Sequence, residues 1–216
     1  MAYAKIIDID DPGYFRLKSI DQSQLKQFLK NPADWAYHRL NDDHKPTDAM
    51  KFGTAFHAYL LGTSDVVSLP EGESFRSKDN QKWRADQLEA GNIIVSYNDM
   101  QLLKRMKEGI EQTSLMPEYP DYMEIIEQGT KEQCIEWKDR QTGLMLKAKP
   151  DLIPAGTDYL VDLKTAQKAD AESFAKEVIN YGYHIQTVFY RAAVAACKPD
   201  AFDRGSKAPS PVSYTH

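Results

Sequence analysis

KEQCIEWKDRQTGLMLKAKPDLIPAGTDYLVDLK, residues 131–164, is the stretch that decides the fold. Lys131 to Lys138 and Leu144 to Lys149 have the pattern of strands, and Asp139-Arg140-Gln141-Thr142-Gly143 between them is a hairpin turn ending on glycine. Pro154-Ala155-Gly156-Thr157-Asp158 is a second turn, and Tyr159 to Lys164 is a third short strand. Downstream, helical patterns cover about residues 170–180 and 183–196, with a break at Tyr181-Gly182. Upstream, Asp48 to Leu61 is a clear helix. Its apolar residues are Met50, Phe52, Ala55, Phe56, Tyr59 and Leu60, and Gly62 suits its stop. Ser23 is placed to cap a short helix with Leu25, Phe28 and Leu29, and Asn31-Pro32 opens another through Leu40. Residues 80–90 and 98–112 read as helix, with 92–97 extended between them. Helices, an antiparallel sheet and further helices define an α+β or mixed α/β domain.

The chain has 216 residues, which suits one domain of ordinary size. The first 20 residues read as irregular and acid-rich, residues 21–197 as the domain, and 198–216 as a disordered or divergent tail rich in proline and serine. Twenty-seven basic and 32 acidic side chains give a net charge of −5. That argues against a nonspecific polycation but leaves room for a local basic surface. Two cysteines, Cys134 and Cys197, cannot build a disulfide framework or a four-thiolate metal or iron–sulfur site. The opening MAYAKIIDIDDPG has no signal-peptide pattern, and no apolar run is long enough for a membrane span. The default compartment is a reducing cytoplasm.

Side chains two apart on a strand share a face, so Asp162 and Lys164 point the same way. A carboxylate and an ammonium so placed can hold a metal ion and a water or phosphate oxygen, or simply form a surface salt bridge. The acid-x-Lys triplet occurs three times, at Asp43, Glu136 and Asp162, so alone it decides nothing. Asp151 ends the strand before the second turn, and hairpin pairing can bring it to Asp162 around one cation. Oxygen ligands of this kind suit Mg²⁺ or Mn²⁺. A turn-starting aspartate is the plainer reading of Asp151. Gly53 and His57 lie four apart on one helix face, as do Gln186 and Tyr190 on the last helix. Each pair fits a functional face or an ordinary packing contact. Glu132 opens the first strand of the hairpin, where a solvated edge carboxylate is also at home.

The ordered set is more specific than its parts: Gly53-x-x-x-His57, Glu132, Lys149-Pro150-Asp151, Asp162-Leu163-Lys164, Gln186-x-x-x-Tyr190. It resembles the PD-(D/E)XK nuclease superfamily, in its RecB-like branch, and within that the exodeoxyribonuclease VIII (RecE-type) nuclease domain of phages and prophages. Ser23 to Phe28 with Asn31-Pro32, Phe52 to His57, Glu132 to Asp139 with Thr142-Gly143, and Tyr181-Gly182-Tyr183 resemble further family segments. The resemblance covers about residues 20–196.

It implies a restriction-endonuclease-like core, a central mixed β-sheet flanked by helices, and a Mg²⁺-dependent nuclease that resects duplex DNA from an end in phage-type recombination, with Mn²⁺ as a substitute. In such enzymes His57, Asp151, Asp162 and the carbonyl of Leu163 would bind metal. Lys164 would orient or help activate the attacking water, Glu132 would hold Lys164 or a water on the metal, and Gln186 and Tyr190 would position Lys164 or contact the backbone phosphates. Arg76, Lys78, Lys82 and Arg84 surround Trp83 and suit either a phosphate grip or a solvated helix start. The family context adds a single-strand annealing partner and a homo-oligomer, in the cytoplasm of a bacterial host. Family members continue past the Gln186/Tyr190 helix with more strand and helix, so the ending here reads as truncated or divergent. Rival readings are an endonuclease or nickase on the same fold and a catalytically idle DNA-binding recombination protein.

Overall fold

A computed structural model of the protein describes residues 3–41, 45–155, 159–168, 170–198 and 212–215. In chain order the elements are β1 (Ala4–Ile7), α1 (Asp11–Arg16), α2 (Gln22–Lys30), α3 (Pro32–Asn41), α4 (Asp48–Leu61), β2 (Val66–Val67), α5 (Lys78–Glu89), β3 (Ile93–Ile94) and α6 (Tyr97–Ser114). They continue with α7 (Tyr122–Gln128), β4 (Thr130–Lys131), β5 (Cys134–Lys138), β6 (Met145–Ala148), β7 (Leu152–Ile153), β8 (Val161–Lys164), α8 (Ala171–Asn180), α9 (Tyr183–Cys197) and β9 (Val212–Thr215). The fold is mixed α+β, as expected. Two compact units emerge: Met1–Lys45 with Gly129–Thr215, and Pro46–Gln128.

The first unit is organised by one long hairpin. Lys131 pairs with Leu152, and further along Ile135 pairs with Ala148, in unchanged register. The ladder is interrupted between these pairs, around Glu132 and Lys149-Pro150-Asp151, where Pro150 has no N–H to donate. One half of the hairpin joins β1 in a sheet of order β1-β5-β6, and the other joins a sheet of order β4-β7-β8-β9. The tip closes as the turn residues predict. The Asp139 carboxylate accepts from the Thr142 N–H at 2.8 Å and its hydroxyl at 2.6 Å, and Gly143 takes φ +72°. Alternation then separates two faces. Ile135, Trp137 and Ala148 pack on Phe189, Ala193 and Val194 of α9, with the Trp137 and Phe189 rings 5.0 Å apart.

The opposite face is charged and also buried. Glu136 is paired with Lys147 in register, and Lys147 is wholly inaccessible. Its ammonium donates to the carbonyls of Tyr14 at 2.9 Å and Leu17 at 3.1 Å, lies 3.9 Å from Asp21, and sits over the Tyr14 ring. Burial lowers its pKa, opposed by the Asp21 charge. The lysine thus ties the end of α1 to the sheet.

Several expectations need correction here. Residues 1–20 are not irregular throughout. Ala4–Ile7 pair antiparallel with β5, and α1 starts on an Asp10 cap that accepts from Gly13 N–H at 2.7 Å. The cap of α2 is Asp21, not Ser23. Within the expected tail, Val212–Thr215 form a strand parallel to β8. Residues 156–158 of the second turn, 42–44 after α3 and 199–211 of the tail lie outside the described residues. The helix pair α8–α9 breaks as predicted. Gly182 has φ +62°, and a Cβ there would meet Lys26 Cδ at 2.9 Å. Gly182→Ala is expected to cost about 1–2 kcal/mol, read as a lower denaturant midpoint.

In the second unit, Thr47 caps α4 and Gly62 ends it at φ +66°. Phe56, Leu60 and Leu61 of α4, and Met100, Leu103 and Ile110 of α6, are buried. The β2 and β3 strands pair in parallel.

Candidate active site

The site begins where the hairpin ladder is interrupted. Glu132 donates its N–H to the Asp151 carbonyl at 2.9 Å, and β7 pairs antiparallel with β8 through Leu152 and Val161. That register sets Asp151 opposite Asp162, so Glu132, Asp151 and Asp162 stand at one level across three strands. One Asp151 oxygen accepts the Leu163 N–H at 2.7 Å. Burial first, and the Asp162 charge second, hold the Asp151 carboxyl well above the ordinary carboxylate range, while Lys164 pulls the other way.

Asp162 is held on both sides. Gln186 Nε2 donates to its Oδ1 at 2.7 Å, and the Lys164 ammonium pairs with its Oδ2. Lys164 also donates to the Leu163 carbonyl at 3.3 Å and lies 5.3 Å from the centroid of the Tyr183 ring. Tyr190, one turn after Gln186, has its phenol pushed far up by burial and then by Asp162 and Asp151. Asp151, Asp162, Leu163, Lys164, Gln186 and Tyr190 are therefore gathered at one place. Gln186, expected to position Lys164 or contact the phosphate backbone, bonds Asp162 and so orients the carboxylate that pairs with the lysine.

Of the two roles expected of Glu132, holding Lys164 or a water on the metal, the structure bears only on the first. Glu132 adopts φ +46°, a left-handed conformation that disfavours a side chain. Its carboxylate engages Lys149 at 3.1 Å rather than Lys164. Lys149 also pairs with Asp11 at the start of α1. Burial lowers the Lys149 pKa, but Asp11 and Glu132 together outweigh it and raise the pKa. Lys26 of α2 was not anticipated. Its ammonium donates to the Tyr181 carbonyl at 2.9 Å, and its pKa is lowered by burial and next by the charge of Lys164. Nothing local in sequence links residue 26 to residue 164, because helix packing brings them together.

His57 lies on α4 of the second unit, with its ring 6.3 Å from that of Phe56. Arg76, Lys78, Lys82 and Arg84 are exposed on the same unit, at and before the start of α5. There Phe75 and Trp83 stack at 6.5 Å, and the Arg84 guanidinium lies 5.3 Å from the Phe75 ring.

The donor set near Asp162 can be matched to a cation. Among the described residues no group of three His, Cys, Asp or Glu side chains is placed to hold a metal ion. Two adjacent carboxylates that repel each other, beside a backbone carbonyl, are nevertheless hard oxygen donors. Divalent Mg²⁺ is commonly held by one or two carboxylates together with water and substrate phosphate. An ionised carboxylate offers about four lone-pair positions, so Asp162 can accept more than the bonds from Gln186 and Lys164.

An aspartate just before β7 and a second on β8 with a lysine two residues beyond it, braced by a glutamine on α9, place the chain among PDDEXK-like domains, a class that points to a nuclease. The chain belongs to the family described as PDDEXK-like domain of unknown function (DUF3799), whose model matches residues 21–203. No curated protein matches it. Among the described residues no helix is long and apolar enough to cross a membrane.

Proposed function

We propose that the protein is a Mg²⁺-dependent deoxyribonuclease of the exodeoxyribonuclease VIII type, hydrolysing duplex DNA from an end, in the 5′→3′ direction, during phage-type recombination in a bacterial cytoplasm. The observation that carries this reading is the bonded set Asp151, Asp162, Lys164 and Gln186 at the hairpin. Asp151 and Asp162, with the Leu163 carbonyl and the resemblance-assigned His57, would hold the cation. When bound, Mg²⁺ lowers the pKa of water and offsets charge developing on the phosphate. Lys164, steadied by Asp162, donates to a phosphate oxygen or to the attacking water. The attacking water gives up one proton to solvent, its oxygen bonds to phosphorus as the opposite P–O bond breaks, and the leaving oxygen takes up one proton, so that one water is added across the bond in all. Gln186 fixes the rotamer of Asp162, Tyr190 fills the buried wall behind both carboxylates, and Glu132 holds Lys149 at the broken ladder.

The basic segment Arg76, Lys78, Lys82 and Arg84 supplies phosphate contacts that the net charge of −5 conceals. Charge reversal at both Lys82 and Arg84 is expected to weaken DNA binding and to flatten its dependence on log salt by roughly 2. An unchanged slope removes this segment from the interface. A single-strand annealing protein and further copies of the chain complete the proposed assembly.

Linear duplex DNA labelled at either end, alongside closed circular DNA, tests the reading in Mg²⁺. Mononucleotide release from linear DNA, 5′ label first, with circular DNA intact, is expected. Nicking of the circle assigns an endonuclease instead, and binding without cleavage in Mg²⁺ and Mn²⁺ assigns an idle binding protein.

A further inference from the structure

The segment that joins α8 to α9 carries more than a helix break. Tyr181 and Tyr183 stack with ring centroids 5.8 Å apart and planes 22° apart. Tyr183 has the Lys164 ammonium over its ring. Tyr181, the outer member, is 59% exposed. Nearly parallel aromatic rings whose outer member is mostly in water offer a flat, solvent-facing π surface. Two cations flank this surface: Lys164 on Tyr183, and Lys26 on the Tyr181 carbonyl.

The arrangement is specific in its construction. The Lys26 stem lies against Gly182, where a Cβ would come within 2.9 Å of Lys26 Cδ. The left-handed turn at Gly182 stacks Tyr181, the C-cap of α8, on Tyr183, the first residue of α9. An aromatic platform flanked by lysines is the recurrent way of holding an unpaired strand, with base on ring and phosphate on ammonium. Lysines at both residues of the stack, Lys164 over the Tyr183 ring and Lys26 on the Tyr181 carbonyl, suit a phosphate-bearing strand better than an apolar protein segment.

We propose that Tyr181, stacked on Tyr183, seats an unstacked nucleobase at a DNA strand end, with the adjoining phosphate between Lys26 and Lys164. The inference rests on the nuclease reading for the placement of that phosphate, and it adds a requirement: the end must fray before it is cut. Tyr181 is a positioning residue in this scheme and touches no reacting atom.

The test uses the full chain and a single-stranded oligodeoxynucleotide with 2-aminopurine at its terminal position, in a chelator so that no cleavage occurs. Binding to the wild type is expected to quench the fluorophore. Tyr181→Phe should quench equally. Tyr181→Ala and Tyr181→Leu should bind roughly tenfold more weakly and lose the quenching, since alanine substitution at a stacking platform costs that order. With Mg²⁺ and duplex DNA, Tyr181→Ala should raise KM and leave kcat nearly unchanged, and Tyr181→Phe should restore KM. Should Tyr181→Ala not fold, the Leu and Phe variants carry the comparison. Wild-type quenching that persists unchanged in the folded Ala or Leu variant overturns the proposal, as does a wild type that does not quench. The two readings separate. Tyr181-dependent quenching in a chain that cleaves no DNA keeps the seat and removes the nuclease. Cleavage with KM indifferent to Tyr181 does the reverse.

Discussion

Asp162→Asn is expected to slow metal-dependent DNA hydrolysis by at least about 10³-fold, a barrier increase of about 4 kcal/mol, while the protein stays folded. The substitution preserves shape and leaves one side-chain oxygen to accept from Gln186. It removes the negative charge that pairs with Lys164 and one of the two carboxylates proposed to hold the cation. Both losses act where charge develops on the phosphate, in a half-buried place that water screens poorly. Stability should not fall. Asp151 is strained partly by the Asp162 charge, and a neutral amide relieves that repulsion. The check is initial rate and denaturant midpoint on the same preparations. A rate within about tenfold of wild type would show that the chemistry lies elsewhere.

Lys147→Met carries the largest expected effect on folding, a loss of about 3–5 kcal/mol. The ammonium is out of contact with water and bonds two carbonyls at the end of α1. Methionine fills the stem but leaves those carbonyls and Asp21 without their buried cation, and uncompensated buried groups are costly. Lys5, which pairs with Glu136 at 3.3 Å from an exposed position, is the matched comparison. Lys5→Met should leave the unfolding midpoint where it is. Equilibrium denaturation of the three proteins decides. If Lys147→Met falls by less than about 1 kcal/mol, the buried lysine does not anchor α1. Because Asp11 of α1 pairs with Lys149, Lys147→Met should also loosen that contact and leave Lys149 to Glu132.

Locally encoded features of this fold could be read in advance. The Asp139–Gly143 turn, the strands on either side and helices α4, α8 and α9 follow from side-chain alternation, caps and glycine stops within a few residues of each other. The convergence of Asp151 on Asp162 was legible too, because one hairpin and one short turn leave few other arrangements. What escaped depends on partners distant in the chain. The β1 strand is four residues with no pattern of its own, made a strand by the free edge of β5. The β9 strand is likewise defined by β8, in a stretch whose prolines and serines suggest no structure. Lys147 sits in the same LKAKPD run as Lys149, yet one is buried as an anchor and the other reaches Glu132. Alternation puts both on one face and cannot say what covers each. Glu132 could not be matched to Lys149 from sequence, because its left-handed backbone redirects the side chain. His57 and the Arg76–Arg84 segment belong to the second unit, far in sequence from the hairpin that carries Asp151 and Asp162.

The central claim is that Asp151, Asp162 and Lys164 serve metal-dependent phosphodiester hydrolysis. Its most direct test is release of acid-soluble nucleotide from uniformly labelled linear duplex DNA by the wild-type protein, first in chelator, then in Mg²⁺, then in chelator overcome by excess Mg²⁺. Release only in the second and third conditions is predicted. Equal release in chelator, or none under any condition, including Mn²⁺ in place of Mg²⁺, would contradict it.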